Sequence, residues 1–171
     1  MLSDQFAQVF WQEHWQVRDT LLDLVRAFQN RDRIPSRLTQ APVYTGSRFR
    51  YEVESLYPAL EEIFGREYIE KLPCDHDRVI GTAKKLIELA GKGPLTDDDV
   101  AATTRYIRGM LPHVSDYDGL SLMVERLPSE KVAAVLGTRE RSLKAGLNLM
   151  QWANEVRRRS AVAPSSQGRE K

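Results

Sequence analysis

Apolar residues recur along this chain at steps of three and four, and four of these series each carry one polar residue of a metal-binding type. The first series is Phe6, Phe10, His14, Val17, Leu21, Leu24 and Phe28. The second is Phe49, Glu52, Leu56, Leu60 and Ile63, and the third is Leu72, His76, Val79, Ala83, Leu86 and Ala90. The fourth is Met110, His113, Tyr117, Leu120 and Val124. Steps of three and four follow one face of a helix, so four amphipathic helices are predicted. Imidazole and carboxylate groups are costly to bury without partners. One such group on the inner face of each of four helices therefore predicts a bundle with a candidate metal site inside.

Capping and breaking residues set the expected boundaries. The first helix is predicted from about Ser3 to Gln29, with Ser3 and Asp4 as caps. Asn30 to Gly46 holds Pro35 and Pro42 and reads as a loop, of a length typical of functional or crossing connections. The second helix runs from about Ser47 to Gly65, where glycine suits the C-terminal position. Pro58 lies inside it and predicts a kink. A short piece, Glu67 to Leu72, leads into a third helix from about Pro73 to Ala90, stopped by Gly91 and Gly93-Pro94. Thr96-Asp97-Asp98-Asp99 opens the fourth helix, with acids at the positive end of its dipole. Pro112 directly before His113 predicts a bend, and Pro128-Ser129 ends this helix or begins a short turn. A last amphipathic helix is expected from about Thr138 to Arg158, through Leu143, Leu147, Met150 and Trp152. The segment Ser160 to Lys171 is small and polar and is expected to be disordered. No β alternation and no internal repeat interrupt this reading, which makes residues 1–159 one helical domain and 160–171 a tail.

Composition narrows the class. At 171 residues, 42% of them hydrophobic, the chain is long enough for one domain with a real core. Lys+Arg 25 against Asp+Glu 24 gives a net charge of +1, so no overall field points to nucleic acid. The run Arg157-Arg158-Arg159 is too short to argue otherwise and reads as a solvated helix end. No apolar run approaches the roughly 18–20 residues a membrane helix needs. Met1 to Trp11 carries Asp4 and no basic residue, unlike a secretory signal. The single cysteine, Cys74, excludes an internal disulfide framework and reads as a structural thiol at a helix start. A cytoplasmic protein is expected. Trp11, Trp15 and Trp152 are expected to pack the bundle or a subunit contact, such as that of a homodimer.

Several runs together resemble one family. Phe49-Arg50-Tyr51-Glu52-Val53-Glu54-Ser55-Leu56-Tyr57-Pro58-Ala59-Leu60 is similar to the second helix of the hemerythrin-like (HHE cation-binding) family. Glu13-His14 with Arg18 resembles that family's first helix, Asp75-His76-Asp77-Arg78-Val79-Ile80 its third, and Leu111-Pro112-His113-Val114 the start of its last ligand-bearing segment. The similarity covers about Gln5 to Leu127 and leaves the C-terminal helix outside. It implies an antiparallel four-helix bundle, here with an additional C-terminal helix, around a non-haem di-iron centre. It also implies His14, His76 and His113 as histidine ligands, Glu52 as the bridging carboxylate, and Asp118 as a second carboxylate. Two positions depart from the pattern. Arg48 stands four residues before Glu52, where the family has a histidine. Tyr117 stands four residues after His113, where many members have glutamate. Arginine cannot offer a lone pair to a metal.

The ligand set mixes imidazole, carboxylate and a phenol, which suits iron, one ion or two, and also manganese or zinc. Three functions follow. The first is a non-haem iron protein that binds or reduces dioxygen or peroxide. The second is a metal-dependent oxidase of a small organic molecule, with Arg48 and Tyr117 as substrate-facing catalytic groups; a Tyr117 phenolate would favour ferric iron. The third is a metal-free regulatory or interaction bundle, in which Arg48 pairs with Glu52 one helical turn away.

Overall fold

The computed structural model describes residues 1–31, 45–116 and 118–156, apart from the side chains at 113, 115, 116, 118, 155 and 156. Every regular element among them is helical. Helix α1 spans Leu2–Gln29. Helix α2 covers 45–51, widens into a π-helical turn over Glu52–Leu56 and continues as an α-helix over Tyr57–Phe64. Next come α3 (Arg66–Ile69), α4 (Leu72–Gly91), α5 (Asp97–Asp116), α6 (Asp118–Met123), α7 (Ser129–Ala145) and α8 (Leu149–Gln151), which runs on as a π-helical turn over Trp152–Val156. None of these helices is long and apolar enough to cross a membrane.

Helix α1 is the spine. It packs along α5 and also meets α6 and α7, while α4 lies against α5. The apolar face predicted for α1 is the one it buries: Phe6, Phe10, Leu21, Leu24 and Phe28 are all inside. Phe6 and Phe10 join Leu56, Tyr57, Leu60, Leu120 and Val124 in one cluster. Leu21, Leu24 and Phe28 join Leu86, Ile107 and Met110 in a second. Phe49, Ile80, Leu149 and Trp152 form a third. Each fully buried side chain of this size contributes about 1.5–3 kcal/mol of hydrophobic stabilisation.

Local chemistry explains the boundaries. Thr96 and Asp99 form a reciprocal cap at the start of α5, with the Asp99 N–H on Thr96 Oγ1 at 3.2 Å and the Thr96 N–H on Asp99 Oδ2 at 3.0 Å. Pro58 has no N–H and cannot extend the hydrogen-bond ladder of α2. The helix accommodates it with the wide turn just before, in which the Tyr57 N–H reaches the Glu52 carbonyl. The expected kink is thus a π-helical turn.

Three expectations need correction. Helix α2 already includes Thr45 and Gly46, the end of the expected loop. Gly46 is required there, because a Cβ would overlap the backbone of Asn148. The single C-terminal helix from Thr138 to Arg158 is two pieces. Gly146 takes the left-handed conformation (φ 62°) and ends α7. Asn148 then caps α8, accepting from the Gln151 N–H at 2.9 Å while Gln151 Oε1 accepts from the Asn148 N–H at 3.0 Å. Finally, of the tryptophans expected to pack the bundle or a subunit contact, Trp152 is buried, whereas Trp11 and Trp15, exposed at 37% and 53%, do not pack into the core. The predicted tail, 160–171, and Arg157, Arg158 and Arg159 lie outside the described residues.

Candidate functional site

Three helices deliver their polar inward residues to one buried locus. His14 on α1 and His76 on α4 are fully buried, and Glu52 and Arg48 on α2 are 1% and 4% exposed. The His14 Nδ1 lies 2.9 Å from the Phe10 carbonyl oxygen, which can only accept. Nδ1 therefore carries the proton, and the Nε2 lone pair receives a hydrogen bond from Arg48 Nη2. Arg48 Nε donates to Glu52 Oε1 at 2.7 Å. The other carboxylate oxygen, Oε2, accepts from His76 Nε2 at 2.9 Å and from the Tyr57 hydroxyl at 3.1 Å. Tyr57 Oη and His76 Nε2 are themselves 3.0 Å apart.

Aromatic rings wall off this chain of contacts. Phe49 stacks on His76 with centroids 3.8 Å apart and planes within 9°. Trp152 sets its edge against both rings, at 6.2 Å from His76 and 6.0 Å from Phe49. Phe10 meets the His14 ring edge-on at 4.2 Å and lies 5.1 Å beneath the Arg48 guanidinium.

Charge balance holds the cluster together. Burial on its own would push the Glu52 carboxyl up; the Arg48 charge and the His76 hydrogen bond outweigh it and hold the group below the usual carboxylate range. Burial works against the Arg48 charge as well, and Glu52 more than compensates, raising its pKa. Both groups are therefore ionised across the working pH range.

A second polar network lies one residue earlier on both α1 and α2. The Tyr51 hydroxyl donates to Glu13 Oε2 at 2.8 Å. The other Glu13 oxygen accepts from Arg139 of α7, at 2.7 Å from Nε and 2.5 Å from Nη2. Burial, reinforced by the neighbouring Glu13 charge, raises the Tyr51 phenol well above its ordinary pKa. Glu13 and Arg139 border a cavity of about 200 Å³ that also touches Arg48. Arg48 borders a second, almost wholly apolar cavity of about 60 Å³, between Leu21, Phe49, Ala83 and Met110.

Of the sequence-predicted metal set, Glu52 and His76 meet directly, and His14 joins them through Arg48. The side chains of His113 and Asp118, and the whole of Tyr117, lie outside the described residues. Among the described residues no three His, Cys, Asp or Glu side chains gather around one point. The reason is visible in the geometry: the guanidinium stands between His14 and the nearer Glu52 oxygen. Cys74 is exposed on the first turn of α4, so it does not serve as a packed structural thiol. Sequence reasoning missed Tyr57, which reaches Glu52 because the π-helical turn brings positions five apart onto one face. The Pro58 that forces the wide turn was the available signal. It also missed Trp152 as a wall of the site, the C-terminal segment having been set outside the resemblance. Compared with family models, curated proteins and solved structures, the chain matches none.

Proposed function

We propose that this cluster is a non-haem metal centre reduced from two positions to one, on an antiparallel four-helix bundle of hemerythrin-like type with an added C-terminal helix. Glu52 and His76 would hold the ion, with His113 and Asp118 as further ligands from the resemblance. Arg48 takes the place of the second ion. The carrying observation is the pairing around Arg48. A neutral imidazole, oriented by a backbone carbonyl as metal-bound histidines are, and a buried carboxylate both aim lone pairs at one fixed cation. The donors thus suit one cation at the Glu52–His76 side and a guanidinium at the His14 side. Iron, when bound, would supply redox chemistry toward dioxygen or peroxide. The protein's own part is to keep the locus buried, to hold Glu52 ionised and to fix the imidazoles in orientation.

A second reading has a specific observation in its favour. Both Glu52 oxygens already accept hydrogen bonds inside the chain, so the network closes on itself. In that reading the chain is a metal-free regulatory or interaction bundle, and Arg48 alone offsets the carboxylate. Elemental analysis after expression in iron-supplemented medium separates the two. The metal reading expects about one iron per chain, lost in His76→Ala and rising toward two in Arg48→His. Iron-free protein that also fails to take up added ferrous iron would establish the metal-free bundle.

A further inference from the structure

We infer that Tyr57 is a third protein donor of the proposed centre, binding ferric iron as a phenolate beside Glu52 and His76. This rests on the single-ion reading above and names a ligand outside the set that the resemblance implies. Glu52 Oε2, His76 Nε2 and Tyr57 Oη form a nearly equilateral triangle, with sides of 2.9, 3.0 and 3.1 Å. An octahedral cation with bonds of about 2.1 Å places adjacent donors about 3 Å apart, so the triangle matches one face of such a sphere. Oxygen and nitrogen donors of these three kinds suit iron.

The phenol is built into place. Tyr57 is 2% exposed. It lies five residues after Glu52, and only the wide turn, closed by the Tyr57 N–H to the Glu52 carbonyl, aligns the two. Pro58 follows immediately and keeps that turn from relaxing into an α-helix. The tyrosine ring also flanks His76, 5.6 Å between centroids. On binding, the Tyr57 O–H bond breaks, its electron pair forms the bond to the ion, and the proton leaves to bulk water; the imidazole of His76 changes tautomer, its proton passing from Nε2 to Nδ1, so that the Nε2 lone pair can face the ion. No oxidant or reductant is consumed.

The alternative role for Tyr57 is positioning, as a hydrogen-bond donor to Glu52, and colour separates the two. The full chain is loaded with one equivalent of ferric iron, freed of excess, and examined for iron content, visible absorption and resonance Raman scattering. A phenolate bound to ferric iron gives a visible charge-transfer band with tyrosine ring vibrations. The band is expected in wild type and in Tyr117→Phe. In Tyr57→Phe it is expected to vanish while iron content stays within twofold. Iron bound without such a band, or a band that survives Tyr57→Phe, would overturn the inference and leave the metal reading standing. A chain that takes up no iron sinks both. Should Tyr57→Phe fail to fold by circular dichroism, the ring vibrations must survive in Tyr51→Phe and in Tyr117→Phe; their loss in either assigns the phenolate elsewhere.

Discussion

Two polar networks sit on neighbouring positions of the same two helices, and they differ in almost everything that sets energy. His14 and Glu52 belong to one, Glu13 and Tyr51 to the other. The first is buried, with side chains 0–5% exposed around the Arg48–Glu52 pair, although Arg48 borders the same cavity as Glu13 and Arg139. The second ends at that cavity, where Glu13 and Arg139 keep 15% and 21% of their side-chain surface in solvent. Both join an arginine to a glutamate at close range. A one-residue step rotates a side chain by about 100°, and that rotation separates a pair whose loss leaves a stranded charge from one that water can rescue.

The largest effect should come from breaking the buried pair on one side only. Glu52→Ala leaves the Arg48 charge buried without its counterion, and removing one partner of a buried pair costs about 3–5 kcal/mol. Chemical denaturation should show that loss, or no folded protein at all. Arg48→Met is expected to cost a similar amount. The double variant Arg48→Met, Glu52→Leu should recover most of it, because a matched apolar replacement of a buried ion pair is often neutral. A cycle that showed simple additivity would mean the two charges do not depend on each other.

Acid titration sharpens the same contrast. Glu52 is held below its ordinary range in the folded state, so the stability it contributes is fully present above the unfolded pKa of about 4.3. It is lost as the pH falls through the lower, folded value. Unfolding free energy should therefore decline progressively below about pH 4.3. Glu52→Gln should flatten that decline.

A substitution at the entrance to α2 tests how firmly the buried network is located. Gly46 lies two residues before Arg48, and its Cα faces the Asn148 backbone too closely for any side chain. Gly46→Ala should cost about 1–3 kcal/mol, the usual range for overpacking. Backbone rather than a flexible side chain would have to yield, so the loss should accompany a shift in the α2–Asn148 contact, visible in amide hydrogen exchange near Leu149.

The legibility of the molecule in its sequence follows the same division. Helical faces were readable because apolar periodicity is local, and His14, Glu52 and His76 fell on those faces and are buried. Arg48 was readable as a departure four residues before Glu52. The break at Gly146 was missed although its signals, a glycine followed by Asn-x-x-Gln, are local; the amphipathic pattern running across it outweighed them. Tyr57 was missed because α-helical spacing was assumed through a turn that Pro58 does not permit. Arg139 could not have been found. Its partner Glu13 is 126 residues away, and nothing in either neighbourhood marks the pairing.

The smallest expected effect belongs to that long-range pair and completes the comparison. Arg139→Ala removes two contacts to Glu13 and opens the end of the larger cavity to water. Partly exposed ion pairs are worth about 0–1 kcal/mol, and Glu13 keeps its hydrogen bond from Tyr51. A stability loss of at most about 1 kcal/mol is therefore expected, diminishing further at high salt because solvent ions reach the pair. The loss from Glu52→Ala should barely respond to salt. A salt-insensitive loss of about 3 kcal/mol or more for Arg139→Ala, on the scale of a buried pair, would show that exposure is not what distinguishes the two networks. The Tyr51 phenol, buried and shifted upward by its surroundings, would then have to be counted with the first network.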